Sequence, residues 1–141
     1  SEAILLDERI RPFGFPAGYR KVSKLPGATK EATATMVWSA LDSVWPRPLL
    51  WNAFPFHPHR PGWPLSNRRP LVDELKLGAR FLAELMDLIP VEVMAAVGKS
   101  AAAALTHAGV SDYHRLCHPS HGGKALFQAG LAKLIPSLAT A

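Results

Sequence analysis

Short apolar runs in this chain repeatedly break at glycine or proline and give way to helical patterns, and that alternation constrains the fold more than any other feature. Val91-Glu92-Val93-Met94-Ala95-Ala96-Val97 runs into Gly98-Lys99-Ser100 and an alanine-rich helix that reaches about His107. Tyr113-His114-Arg115-Leu116-Cys117 runs into His118-Pro119-Ser120-His121-Gly122-Gly123 and an amphipathic helix from Lys124 to about Leu138. A third run, Leu49-Leu50-Trp51-Asn52, leads into Ala53-Phe54-Pro55-Phe56-His57-Pro58-His59-Arg60-Pro61-Gly62-Trp63-Pro64, which holds too many prolines for a helix or a central strand. Apolar strands of this kind are buried on both faces, and strands separated by helices pair in parallel. The expectation is an α/β chain, a three-layer sandwich around a short, mostly parallel sheet. Three strands make a thin core, which suggests a missing piece.

Two further helices are expected. One opens at Thr29, which can cap it, carries Val37, Leu41 and Val44 on one face, and stops at Pro46 and Pro48. The other opens at Pro70 and presents Leu71, Leu75, Gly78, Leu82, Leu85 and Ile89 as one stripe, with Asp73 and Glu74 in its first turn. Adjacent carboxylates on a helix point in different directions, so Asp73 and Glu74 are read as a solvated helix start rather than an acid/base pair.

With 141 residues, 48% of them hydrophobic, the chain has material for one domain with a core and is read as a single unit spanning residues 1–141. Sixteen Lys and Arg against eleven Asp and Glu give a net charge of +5, which favours polyanions if the excess gathers on one face. Residues 1–28 mix Arg9, Arg11, Arg20, Lys21 and Lys24 with Phe13, Phe15 and Tyr19, a composition suited to tracking a nucleic-acid backbone or to covering a core. One cysteine, Cys117, excludes an internal disulfide and any multi-cysteine metal cluster, and a cytoplasmic location is expected. No apolar run approaches the roughly 20 residues of a membrane span. His57 and His59 lack nearby acidic or cysteine partners, so no metal is expected, nor any other cofactor. Gly98-Lys99-Ser100 resembles the end of a phosphate loop, but the glycine that pattern requires is Val93 here, and the match is set aside.

The loop His118-Pro119-Ser120-His121-Gly122-Gly123-Lys124 places an imidazole, a hydroxyl and two glycines at a helix entrance. Free N–H groups there favour an anion, glycine allows close approach, and Pro119 fixes the direction in which His118 leaves the strand. Asn52 holds the equivalent place at the exit of the first apolar run, where ligands bind in open α/β sheets.

These two motifs in this order, together with Asn67-Arg68-Arg69-Pro70-Leu71-Val72-Asp73-Glu74, resemble the uracil-DNA glycosylase superfamily. The last stretch is similar to the Asn-Arg-x-Pro-x-x-x-Glu signature of its bacterial iron-sulfur branch, although that branch's four cluster cysteines are not in this chain. The resemblance runs from about Trp51 to the C-terminus. It implies that Asn52 reads uracil, accepting from N3–H and donating to O4, whereas cytosine presents the opposite pattern. It implies that His118 faces O2 and stabilises the uracil anion as the N-glycosidic bond breaks, after the base has left the stack. Ser120, His121, Gly122 and Gly123 then fall in the loop that enters the minor groove, and Lys124 and Arg68 are phosphate contacts. The family's usual apolar wedge is not evident in that loop.

The family's first strand and its Gly-rich motif, which positions the attacking water, normally precede the matched region and have no counterpart here, so the resemblance implies that the first strand is missing. Ser1 is therefore expected to begin inside a longer glycosylase domain, and this piece alone is expected to turn over poorly or not at all. The implied partner is uracil-containing DNA, acted on by a monomer without a membrane. The competing readings are a noncatalytic nucleic-acid-binding module on the same scaffold and a glycosylase for another deaminated base such as hypoxanthine.

Overall fold

The computed structural model describes residues 32–42, 44 and 48–138. The Thr29 cap and the basic, aromatic stretch before it lie outside the described residues. Helix α1, Ala32–Leu41, belongs to a first compact unit of residues 1–43; the remaining described elements belong to a second unit, residues 44–141.

In the second unit the order is α2 (Val72–Leu88), β1 (Ala95–Val97), α3 (Lys99–His107), β2 (His114–Leu116) and α4 (Lys124–Leu138). Strands β1 and β2 are parallel and in register, with Ala95 opposite His114, Ala96 opposite Arg115 and Val97 opposite Leu116. The His114 amide donates to the Met94 carbonyl at 2.9 Å, and the Gly98 amide donates to the Leu116 carbonyl at 2.9 Å. These bonds fix both ends of the ladder, so the carboxyl ends of β1 and β2 lie side by side. A helix must join two parallel neighbours, and α3 does so, ending where Gly109 takes φ +79°.

The core follows from helical spacing. Phe127, Leu131 and Leu134 recur at intervals of four and three on α4 and are buried; Leu75 and Ala79 on α2 and Ala104 and Leu105 on α3 are buried likewise. From the strands, Ala96 and Leu116 join them. Helix α2 packs on α3, α3 on β1, and α4 on β2. No charged or polar side chain is buried among the described residues.

The chain is thus mixed α/β as expected, but the described sheet has two strands rather than three. Leu49-Leu50-Trp51-Asn52 is not a strand, and Leu49, Leu50 and Trp51 are 59%, 43% and 44% exposed rather than buried. An apolar run becomes a strand only where a neighbour completes its ladder, and among the described residues none pairs with this one. The run at Val91–Val97 is shortened for a related reason: pairing extends only as far as the three residues of β2, and Val91, Glu92 and Val93 remain exposed.

Gly78 shows how the segment after Asn52 is held. A Cβ at Gly78 would overlap the Ala53 carbonyl oxygen and crowd the Phe54 Cα, so the chain crosses α2 with backbone against backbone. Edge-to-face contacts continue the attachment, from Phe54 to Phe56 at 5.4 Å and from Phe56 to Phe81 of α2 at 5.6 Å. Gly78→Ala gains up to ~1 kcal/mol in helix propensity and loses about 1–3 kcal/mol to the overlap, so it is expected to destabilise. Urea unfolding checks this, and a stabilised variant would show that the loop does not cross there.

Candidate functional site

The site is built around the β2–α4 junction. Leu116 is buried at the end of β2, Pro119 is one of the most deeply buried side chains, and between them His118 is exposed. Proline in the core and histidine in solvent is the geometry expected if Pro119 anchors the turn and aims the imidazole outward.

Two glycines make the turn possible. A Cβ at Gly123 would overlap the His118 carbonyl oxygen and sit 3.2 Å from the Cys117 sulfur, so α4 can start this close to the turn only from glycine. Gly98, at φ +85°, closes β1; a Cβ there would lie 3.0 Å from the His118 Cβ and 3.3 Å from its Cδ2. The His118 ring therefore lies against the backbone at the tip of the neighbouring strand and beside the start of α3. Gly98 is a site residue that the sequence had assigned only to a chance phosphate-loop match. The available signal was a glycine directly after a strand, which marks close approach to that strand's end.

Around His118 the hydrogen bonds fix the tautomer. The Ser120 amide donates to His118 Nδ1 at 3.2 Å, and a backbone N–H can only donate, so Nδ1 is the unprotonated nitrogen. The Ser120 hydroxyl lies 2.7 Å from the same Nδ1 and must donate to it. Its oxygen then accepts from His121 Nδ1 at 2.9 Å. Protons thus point along one line, from His121 through Ser120 into His118, and the remaining His118 proton is on Nε2. Among the described residues that N–H has no acceptor. A two-bond ¹H–¹⁵N correlation spectrum is expected to show His118 protonated on Nε2; protonation on Nδ1 of the neutral ring would contradict the network.

His121 sits at φ +52°, a left-handed conformation that costs a non-glycine residue about 1–2 kcal/mol, and Gly122 follows at φ +82°. The bond from His121 to Ser120 is the gain that accompanies this strain. Lys124 is exposed at the first turn of α4 and makes no ion pair among the described residues. Near His118 the structure therefore offers one outward donor, an unpaired cation and the amino-terminal ends of two helices, all suited to negative charge.

Asn52 is exposed, and its amide makes no hydrogen bond among the described residues. It is held by the Ala53 carbonyl against Gly78 rather than by a strand, which corrects its expected position at a strand tip.

Arg68 does not project toward solvent as a free cation. Its NH1 and NH2 groups each donate to the Glu74 carboxylate at 2.7 Å, its Nε donates to the His59 carbonyl at 2.9 Å, and NH1 also donates to the Arg69 carbonyl at 3.0 Å. Glu74 in turn accepts from the Leu71 amide at 2.7 Å, the reciprocal half of a helix cap. The Arg-x-Pro-x-x-x-Glu stretch is therefore a brace that ties the Pro-rich loop to the start of α2, and the assignment of Arg68 to phosphate binding is replaced by that role. The bond from Arg68, followed by that from Leu71, holds the Glu74 carboxyl down to about 2 from an ordinary 4.5. Because the folded pKa is the lower one, its contribution is complete above about pH 4.5 and fades as pH falls toward 2. The melting temperatures of the native chain and Glu74→Gln are expected to differ at pH 6 and to converge with acidification through that window.

His57 and His59 stack with ring centroids 6.0 Å apart, and no group of three potential metal ligands forms among the described residues. No helix among them is long and apolar enough to cross a membrane. Comparison with protein-family models, curated proteins and solved structures gives no match to the chain.

Proposed function

We propose that this chain carries a base-excision site that hydrolyses the N-glycosidic bond of uracil in DNA, built on a three-layer α/β sandwich. The observation that carries the reading is the engagement of His118 Nδ1 by the Ser120 amide and hydroxyl, which leaves Nε2 as the ring's outward donor beyond the ends of two parallel strands. Such a donor suits an oxygen that gains negative charge as a bond breaks, as uracil O2 does when the base departs as an anion. A donor of fixed orientation requires no reorganisation during the reaction.

In this reading Asn52 supplies the complementary edge, accepting from N3–H and donating to O4, and Lys124 meets a backbone phosphate beside the loop Ser120–Gly123. No metal or redox cofactor takes part, because the hydrolysis needs only water, an oriented base and a stabilised leaving group. The resemblance in Asn52, His118-Pro119-Ser120 and the Asn67–Glu74 stretch supports the same substrate.

The test is release of free uracil from single- and double-stranded oligonucleotides carrying one deoxyuridine, with the complete gene product. Release that depends on His118 supports the proposal; intact substrate in both forms overturns it. Binding to the same oligonucleotides without release would favour a noncatalytic DNA-binding module, and release of hypoxanthine in preference to uracil would reassign the substrate.

A further inference from the structure

The Pro-rich loop after Asn52 carries a feature that the glycosylase reading leaves without a role. Its tip is Arg60-Pro61-Gly62-Trp63-Pro64-Leu65, and Trp63 is 71% exposed. Tryptophan left this open on a floppy loop would be unremarkable, but this tip is braced from several sides. The Trp63 amide donates to the Arg60 carbonyl at 3.0 Å, and the Trp63 carbonyl accepts from both the Ser66 amide at 2.9 Å and the Ser66 hydroxyl at 2.7 Å. The Arg60 amide donates to the same hydroxyl at 2.9 Å, so one serine side chain ties both flanks of the turn. Below the tip, the Arg68 amide donates to the Pro58 carbonyl at 3.1 Å, and the Arg68 side chain clamps His59 to Glu74. Gly62, at φ +75°, permits the reversal, and two prolines stiffen the chain on either side.

Both backbone polar groups of Trp63 are thus occupied, and among the described residues its side chain packs in no aromatic pair and two exposed cations on the same loop, Arg60 and Arg69, have no acidic partner. An exposed indole on a hydrogen-bonded turn, with two exposed arginines on the same loop, matches an occupant with a flat π face and a negatively charged backbone. An unstacked nucleotide has both.

We propose that Trp63 is a base-stacking residue: it lies flat against an unpaired base of single-stranded or locally opened DNA, while Arg60 and Arg69 hold the flanking phosphates. This rests on DNA being the partner of the proposed function. It does not depend on which base is removed.

The experiment uses the complete chain and a uracil-free single-stranded oligonucleotide carrying one 2-aminopurine, whose fluorescence falls when the base stacks on an aromatic ring. The native chain is expected to quench it on binding. Trp63→Ala is expected to abolish the quench and weaken binding about tenfold, the scale of one base–aromatic stack, whereas Trp63→Phe retains most of both. Arg60→Ala with Arg69→Ala is expected to weaken binding and reduce its salt dependence while leaving the quench at saturation. The inference is overturned if Trp63→Ala binds and quenches like the native chain, if the chain binds no DNA, or if Trp63 is instead required for binding phosphatidylglycerol vesicles. Because the probe contains no uracil, a Trp63-dependent quench beside failed uracil release would remove the glycosylase reading and leave this one standing.

Discussion

His118→Ala is expected to slow uracil release by about 10²–10³-fold, corresponding to about 2.7–4 kcal/mol of transition-state stabilisation, the usual effect of removing one donor to a developing oxyanion. If His118 faces O2 as proposed, the effect should appear mainly in kcat rather than in KM, because a bond from Nε2–H would strengthen as charge gathers on O2 and contribute little to the bound ground state. His118 is exposed and contacts the backbone at Gly98, so its removal sacrifices little packing. Melting temperature measured on the same variant separates a lost donor from a lost fold. Single-turnover release from a deoxyuridine oligonucleotide is the assay, and an unchanged rate would remove His118 from the mechanism. Ser120→Ala should have a smaller effect, since the Ser120 amide still donates to Nδ1 and keeps the proton on Nε2.

Asn52→Ala is expected to match that loss, at about 10²–10³-fold, by a different route. Uracil enters with N3–H and O4 seeking partners, and each group left unpaired away from water costs about 1–3 kcal/mol. Discrimination should fall together with rate, because the amide proposed to reject the reversed pattern of cytosine is gone. The Asn52 side chain is exposed and makes no hydrogen bond among the described residues, so stability should change by no more than about 0.5 kcal/mol. Loss of uracil release with an unchanged unfolding midpoint is the expected result; equal release by Asn52→Ala and the native chain would show that base reading lies elsewhere.

The legible and illegible parts of the fold divide along a physical line. Helix α2 was readable because its stripe repeats through more than four turns, and its observed start at Val72 follows the proline expected to open it. The strand-to-helix junction at His118 was readable because proline and paired glycine admit few backbone paths. The run Leu49–Asn52 was misread as a buried strand because apolarity reports a tendency to bury, whereas a strand also needs a neighbour, and pairing is not written in the run itself. Arg68 was misread because a charge is visible in sequence and its partner is not: only the fold brings the guanidinium onto Glu74. The spacing Arg-Arg-Pro-Leu-Val-Asp-Glu did hold a clue, since a glutamate three residues into a helix reaches back to its own cap. Gly98 against His118 joins residues just past the ends of two strands, and their adjacency follows from parallel register, which the sequence does not state.

Whether one small planar guest engages both an amide and an imidazole can be read in a single titration. Free uracil is added to the ¹⁵N-labelled complete gene product, and the Asn52 side-chain NH₂ and the His118 Nε2–H are followed by NMR. The account predicts that both resonances move along one binding curve with one Kd, and that Asn52→Ala weakens the His118 response. Movement of one signal without the other, or of neither at saturating uracil, would contradict it.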